Sequence, residues 1–202
     1  MSDDRAQRPN FVFIMSDDHA AHAISAYGSR INETPNLDRL ADDGMRVDSC
    51  FCTNSICTPS RAAILTGTYN HVNGVTTLDT HMDYRLITFP RLLLVGGYQS
   101  ALFVKWHLGH GPDHDTDGFD FCRLMPGQGH YHNPVMLNHD GRIVERGGYV
   151  TDLITDDCLR WLDRRDPDRP FLLLCHHKAP HRTWEPSREH FTMYDDVEIP
   201  EP

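Results

Sequence analysis

Gln99-Ser-Ala-Leu-Phe-Val104 runs directly into Lys105-Trp106-His107. Six β-prone, largely apolar residues read as a buried strand, and the polar residues after them as the end where that strand meets solvent or a ligand. The same arrangement occurs twice more. Asn10-Phe-Val-Phe-Ile-Met15 leads into Asp17-Asp18-His19, and Phe171-Leu-Leu-Leu-Cys175 leads into His176-His177-Lys178 and His181. Segments with helical patterning separate these strands, which predicts an α/β fold around a mostly parallel sheet flanked by helices. In open α/β sheets, ligands bind beyond the carboxyl ends of the strands. Three polar clusters at that edge therefore predict a site.

Working outward, Thr34-Pro35 opens a helix with Leu37 and Leu40 on one face and Gly44 as its stop. Met45 to Cys52 alternates in a way that predicts a strand. Pro59 starts a second helix, Ser60-Arg-Ala-Ala-Ile-Leu65, ending near Gly67, and residues 89–95 form a third, closed by Gly96-Gly97. Residues 136–147, centred on Asp140-Gly141, predict a hairpin. From Gly148 to Arg165 the apolar positions Val150, Leu153, Ile154, Cys158, Trp161 and Leu162 form a helical stripe.

The chain's 202 residues are near the size of one domain, taking a domain as ~150 residues. Residues 1–9 are expected to be flexible. Residues 10–202 are expected to be one body, with the acidic, Pro-containing stretch after Asp195 reading as a chain cut within a larger protein. The net charge of −10 argues against a nucleic-acid partner, since neutralising a phosphate backbone takes clustered Lys and Arg. No apolar run approaches the ~18 residues of a membrane span. Nothing near Met1 resembles a secretory signal, so the chain as written is expected in the cytoplasm, or in the periplasm or outside the cell if its true N-terminus differs. The six cysteines are then expected to be mostly reduced. Cys50, Cys52 and Cys57 lack the paired spacing of a zinc site.

Asp17-Asp18 offers hard oxygen ligands of the kind Ca²⁺ or Mg²⁺ takes; the alternative is a strand-end turn with Asp18 capping the next helix. Lys105 and His107, two apart on extended chain, could point together at an anion or be ordinary surface polarity. His176, His177 and His181 could equally be structural. Asp113-x-Asp115-x-Asp117-Gly118 imitates the start of an EF-hand loop, but Leu124 occupies the position of its essential acid. Cys57-Thr58-Pro59-Ser60-Arg61 stands at the mouth of a helix, where unpaired N–H groups favour anions. Read generically, Cys57 is a thiolate nucleophile paired with a histidine.

Cys57-x-Pro59-Ser60-Arg61, with Leu65-Thr66-Gly67 downstream, resembles the signature of the type I sulfatases. Pro35-Asn-Leu-Asp-Arg-Leu-Ala41, Lys105-Trp-His-Leu-Gly109, Gly118-Phe-Asp120 and Ala179-Pro-His181 fall in that family's order, and the resemblance covers residues 8 to about 202. It implies the N-terminal portion of a sulfatase with an alkaline-phosphatase-like α/β fold. It further implies that a formylglycine-generating enzyme converts Cys57 to formylglycine. By position, Asp17, Asp18 and the residue-57 oxygen would bind Ca²⁺, or Mg²⁺. Arg61 would hold residue 57, Lys105 would contact the sulfate, His107 would deprotonate the second hydroxyl of the hydrated aldehyde, and His181 would lie at the leaving-group oxygen. One hydroxyl of that hydrate attacks sulfur, and the other lets sulfate leave as the aldehyde re-forms.

The resemblance also sets limits. The family's Gly before Lys-x-His is Val104 here, and its downstream metal segment and second active-site lysine are absent. Asn138-His-Asp-Gly141 is only superficially similar to that segment. Pro126 to Pro134 and His177 to Glu185 resemble bacterial sulfatases acting on glycan sulfates, including the N-acetylglucosamine-6-sulfate type. The implied partner is a sulfated carbohydrate or other small sulfate ester. Trp184 would stack on a sugar or simply pack, Arg182 or Arg188 would bind acidic groups, and His130 with His132 would lie on a loop near the substrate. A phosphonate or phosphate monoester hydrolase with the same nucleophile, and a non-catalytic fragment, are the competing functions.

Overall fold

A computed structural model of the chain describes residues 8–109, 116 and 118–199. Asp113, Asp115 and Asp117 of the EF-hand-like stretch, and residues 1–7 of the expected flexible N-terminus, lie outside the described residues. Arg8 and Pro9 are both anchored. Arg8 donates to the Gly96 carbonyl, and the Pro9 carbonyl accepts from the Tyr98 hydroxyl at 3.1 Å. The chain divides into two compact units, Met1–Asp17 with Cys52–Lys178, and Asp18–Phe51 with Ala179–Pro202. No helix among the described residues is long and apolar enough to cross a membrane.

The larger unit is built on a mixed sheet of β1 (Phe11–Asp17), β2 (Gln99–Lys105), β3 (Phe121–Met125), β4 (Val135–Asn138), β5 (Ile143–Glu145) and β6 (Phe171–Pro180), of which it holds β6 as far as Lys178. Their order is β1-β6-β2-β3-β4-β5. β2 pairs parallel with both β6 and β3, Leu102 lying opposite Leu174 and Cys122. β4 and β5 turn back antiparallel, as the hairpin reading expects. Val104, where the sulfatase family has Gly, sits inside β2 in register with Leu124 and His176.

Alternation in the strands fills two layers. On one side Leu102, Leu124, Leu172 and Leu174 pack with Ala62 and Leu65 of α2 (Cys57–Thr66), and with Phe89 and Leu93 of a helix at Phe89–Val95. The long helix Val150–Arg164 buries Val150, Ile154 and Cys158, part of the stripe read from sequence. Asp157 is also buried there, ion-paired to Arg123 at 2.7 Å, to Arg160 at 2.9 Å and to Arg146. Gly118, with φ of +102°, passes so close to the helix at Phe89–Val95 that a Cβ would lie 2.6 Å from the Arg91 nitrogen, which only glycine allows.

The smaller unit holds α1 (Pro35–Asp43), which begins at Pro35 as expected but buries none of its residues, Leu37 and Leu40 included. Polar bonds fix its start. Asp38 accepts from the Ser25 hydroxyl at 2.6 Å and the Ala26 N–H at 2.8 Å, while Thr34 N–H donates to the Ser25 oxygen at 2.7 Å.

Three boundaries differ from the sequence reading. Met45 to Cys52 forms no strand. Its polar groups are satisfied locally instead, Arg46 pairing with Asp48 at 2.8 Å and the Val47 carbonyl accepting from the Tyr27 hydroxyl at 2.9 Å. α2 begins at Cys57, two residues before Pro59. β6 continues to Pro180, so His176, His177 and Lys178 lie on the strand rather than after it.

Candidate active site

Three elements of the larger unit deliver charged side chains to one place: the end of β1, the end of β2 and the first turns of α2. Asp17 closes β1, Lys105 closes β2, and Cys57 is the first residue of α2. Lys105 Nζ donates to Asp17 Oδ2 at 2.6 Å, and Arg61 Nη2 reaches the same oxygen at 3.2 Å. Arg61 Nη1 also donates to the Lys105 carbonyl at 2.7 Å. Lys105 is 0% exposed, Arg61 5% and Asp17 8%, so two cations and one carboxylate share a water-poor space. Such groups persist in a low-dielectric interior only when paired.

Cys57 Sγ lies 3.9 Å from Asp17 Oδ1 and 3.9 Å from Lys105 Nζ, at the edge of this cluster. Ile56 makes no side-chain capping bond to the first turn of α2, and uncapped N–H groups at a helix start favour anions. Burial pulls the Arg61 guanidinium below its usual value, while Asp17 and Cys57 pull the other way. Its Nε has no hydrogen-bond partner. A fixed, partly unsatisfied cation beside a nucleophile position suits a tetrahedral oxyanion.

His107 follows β2 in left-handed backbone with φ of +55°. Its carbonyl accepts from the Thr58 hydroxyl at 2.8 Å, which ties it to the residue after Cys57. Sequence reasoning missed Thr58. The available signal was a hydroxyl residue in the first turn of a helix, where side chains habitually bond backbone.

His176 belongs to the strand and not to solvent. It is buried, edge-on to Phe13 at 5.4 Å between centroids, and its Nε2 has no hydrogen-bond partner. Loss of hydration, with Arg61 and His177 nearby, pushes its pKa down to about 3. The folded protein therefore holds His176 neutral, while the unfolded chain takes up a proton below about pH 6.5. Stability should fall as pH drops from about 6.5 toward 3, at about 1.4 kcal/mol per pH unit for this one proton. Urea unfolding at pH 7, 6 and 5 should show a slope shallower by about one proton in His176→Gln; equal slopes would remove His176 as the cause.

The rest of the third polar cluster turns elsewhere. His177 Nε2 lies 3.4 Å from Cys175 Sγ, and Lys178 stands over the Tyr131 ring at 4.8 Å. His130 is exposed, and His132 packs on Tyr149. In the smaller unit, His181 is buried, with Nε2 3.7 Å from Asp18 Oδ2 and Nδ1 2.7 Å from the Arg182 carbonyl. Asp18 and Trp184 both have left-handed backbone, at φ of +59° and +58°, and Trp184 and Arg182 are exposed. Among the described residues all six cysteines are free thiols.

The chain resembles known proteins over nearly all of its length. A family model described as sulfatase matches residues 9–199. Over 98% of its length the chain is 42% identical to N-acetylglucosamine-6-O-sulfatase of Bacteroides thetaiotaomicron, covering 35% of that protein. It is 37% identical to N-acetylgalactosamine-6-sulfatase of Rattus norvegicus over 56% of the chain and 25% of that protein. Among solved structures, a protein in complex with its substrate D-glucosamine-2-N,6-O-disulfate superimposes with a TM-score of 0.92 at 42% identity, over 97% of this chain and 39% of that one. Ps i-CgsB superimposes with a TM-score of 0.89 at 25% identity, over 96% of this chain and 50% of that one. The chain thus spans about a third of the length of the first of these curated relatives. With its C-x-P-S-R helix start placed against a Lys–Asp–Arg cluster and a family match over nearly every residue, the chain belongs to the sulfatase family.

Proposed function

We propose that the protein hydrolyses a sulfate ester of a carbohydrate, with residue 57 matured from cysteine to formylglycine and with a divalent cation, calcium or magnesium, at Asp17 and Asp18. The observation that carries this reading is the position of Cys57, at the start of α2 and 3.9 Å from both Lys105 Nζ and Asp17 Oδ1. The carbohydrate is supported by the relatives, one named an N-acetylglucosamine-6-O-sulfatase and another solved with a sulfated glucosamine substrate. A formylglycine-generating enzyme is the implied maturation partner.

The residues fit a hard cation in kind. Lys105 Nζ donates to Oδ2 of Asp17 at 2.6 Å, and Oδ1 lies 3.9 Å from the residue-57 sulfur. Asp18, next in the sequence and half-exposed, is the second carboxylate that the resemblance implies. Both are hard oxygen donors, and waters, substrate oxygens or further residues would complete the ~6–8 that calcium takes. When bound, the cation neutralises charge on the sulfuryl oxygens. Formylglycine supplies a hydrated aldehyde in place of a thiol.

The chain's own groups do the rest. Lys105 and Arg61 present fixed positive charge to the sulfuryl group from a space that excludes water, where it acts most strongly. His107 accepts a proton from the oxygen at residue 57. His181 donates a proton to the oxygen of the leaving alcohol. Arg182 and Trp184, both exposed, are the substrate contacts that the resemblance suggests.

The test is the full-length protein made with an active formylglycine-generating enzyme. Mass spectrometry of the peptide carrying residue 57 should show loss of H₂S and gain of one oxygen. The matured protein should turn over an aryl sulfate faster than the matching aryl phosphate, and Cys57→Ala should cost roughly 10⁴-fold or more. Unmodified cysteine in an active enzyme would overturn the formylglycine assignment. Preference for the phosphate would replace the sulfatase reading with phosphomonoester hydrolysis.

A further inference from the structure

Among the described residues, Leu78, Asp79, His81, His107, Gly109 and Gly127 line a pocket of about 290 Å³. Three hydrogen bonds fix this pocket relative to residue 57. The Thr58 hydroxyl, one residue beyond Cys57, lies 2.8 Å from the His107 carbonyl and 3.4 Å from the Leu78 carbonyl. Met82 N–H donates to the Leu108 carbonyl at 3.2 Å. The segments around Leu78 and His107 are thus tied to each other and to the helix that begins at residue 57. A side-chain bond between Thr77 and Thr80, 2.8 Å long, shapes the turn that carries Asp79.

The pocket is close to the ~300 Å³ lower bound of small-molecule sites, room for about one sugar ring. Asp79 and His81 are exposed to it and lie outside the Lys105–Asp17–Arg61 cluster. A carboxylate only accepts, through two oxygens, and so can take two neighbouring sugar hydroxyls at once. The His81 imidazole adds a further polar ring to the same lining. Leu78 offers an apolar surface for the C–H face of a ring.

We propose that Asp79 and His81 bind hydroxyl groups of the sugar that bears the sulfate, so that this pocket distinguishes a carbohydrate ester from a simple aryl ester at residue 57. The part played by the sulfate rests on the sulfatase reading; affinity of the pocket for a sugar does not.

Two measurements on the full-length protein test it. The first is calorimetric titration with N-acetylglucosamine, a desulfated product that needs no turnover. Wild type should bind it, and Asp79→Asn and His81→Ala should each weaken binding tenfold or more. Arg85→Ala, which removes an exposed ion pair with Asp83 on the same loop, should not. Failure of the wild type to bind, unchanged affinity in both variants, or an equal loss in Arg85→Ala would overturn the proposal. The second compares kcat/KM on N-acetylglucosamine 6-sulfate and on an aryl sulfate. The ratio should fall at least tenfold in Asp79→Asn and His81→Ala, whereas parallel loss on both esters would make these residues structural and overturn the proposal. A matured wild type inactive on both sulfate esters would count against the sulfatase reading, with the sugar titration still deciding the subsite.

Discussion

Lys105→Met should cost about 3–5 kcal/mol of folding stability, the loss typical when one partner of a buried ion pair is removed. The methionine fills similar space at a position that is 0% exposed, so packing changes little. What changes is Asp17, which loses a 2.6 Å ammonium contact and retains Arg61 at 3.2 Å. Turnover should fall by about 10²–10³-fold or more, as for other fixed charges facing a transition-state oxyanion. Chemical denaturation and steady-state kinetics of wild type and variant check both effects. A loss below about 1 kcal/mol would place the pair in the class of weak surface bridges and contradict its burial.

Asp17→Asn attacks the same cluster from its negative side. Two buried cations rest on one Asp17 oxygen, and an amide leaves both without a counter-charge. Stability should again fall by about 3–5 kcal/mol. Calorimetric titration should also show weaker calcium binding, because a neutral amide is a poorer ligand for a hard cation. Unchanged calcium affinity would remove Asp17 from the metal site without touching its role in holding Lys105 and Arg61. The two roles separate further in Asp17→Asn/Lys105→Met. There the stability loss should be smaller than the sum of the single losses by about 1–3 kcal/mol.

What the sequence made legible was whatever a strand end or a helix start announces. Asp17, Lys105 and Cys57 could be placed because an apolar run, or a Pro with a signature, stood beside each. β3 was not anticipated because Arg123 interrupts Phe121-Cys-Arg-Leu-Met125, and its charge is acceptable only beside Asp157, 34 positions further on. The absent strand at 45–52 is the converse case. Its alternation is real, but Arg46 finds Asp48 two residues away, and local bonds replaced a sheet partner. His176 and His177 read as site polarity because a strand's length is set by its neighbours. Pairing with β2 extends to His176, and that residue became interior. Asp79 and His81 carried no motif. They were brought beside the centre by hydrogen bonds to backbone carbonyls, which a side-chain pattern does not encode.

Left-handed backbone at Asp18, His107 and Trp184 has an evolutionary consequence. Aspartate tolerates this conformation comparatively well, histidine somewhat less, and a bulky tryptophan poorly. Such positions cost of order 1–3 kcal/mol each and persist where something other than stability maintains them. A lineage relieved of selection for activity but still required to fold would drift at these sites first, toward glycine or asparagine. Sampling of diverging copies should therefore show His107 and Trp184 decaying sooner than the buried Lys105–Asp17 pair, because folding itself continues to protect that pair.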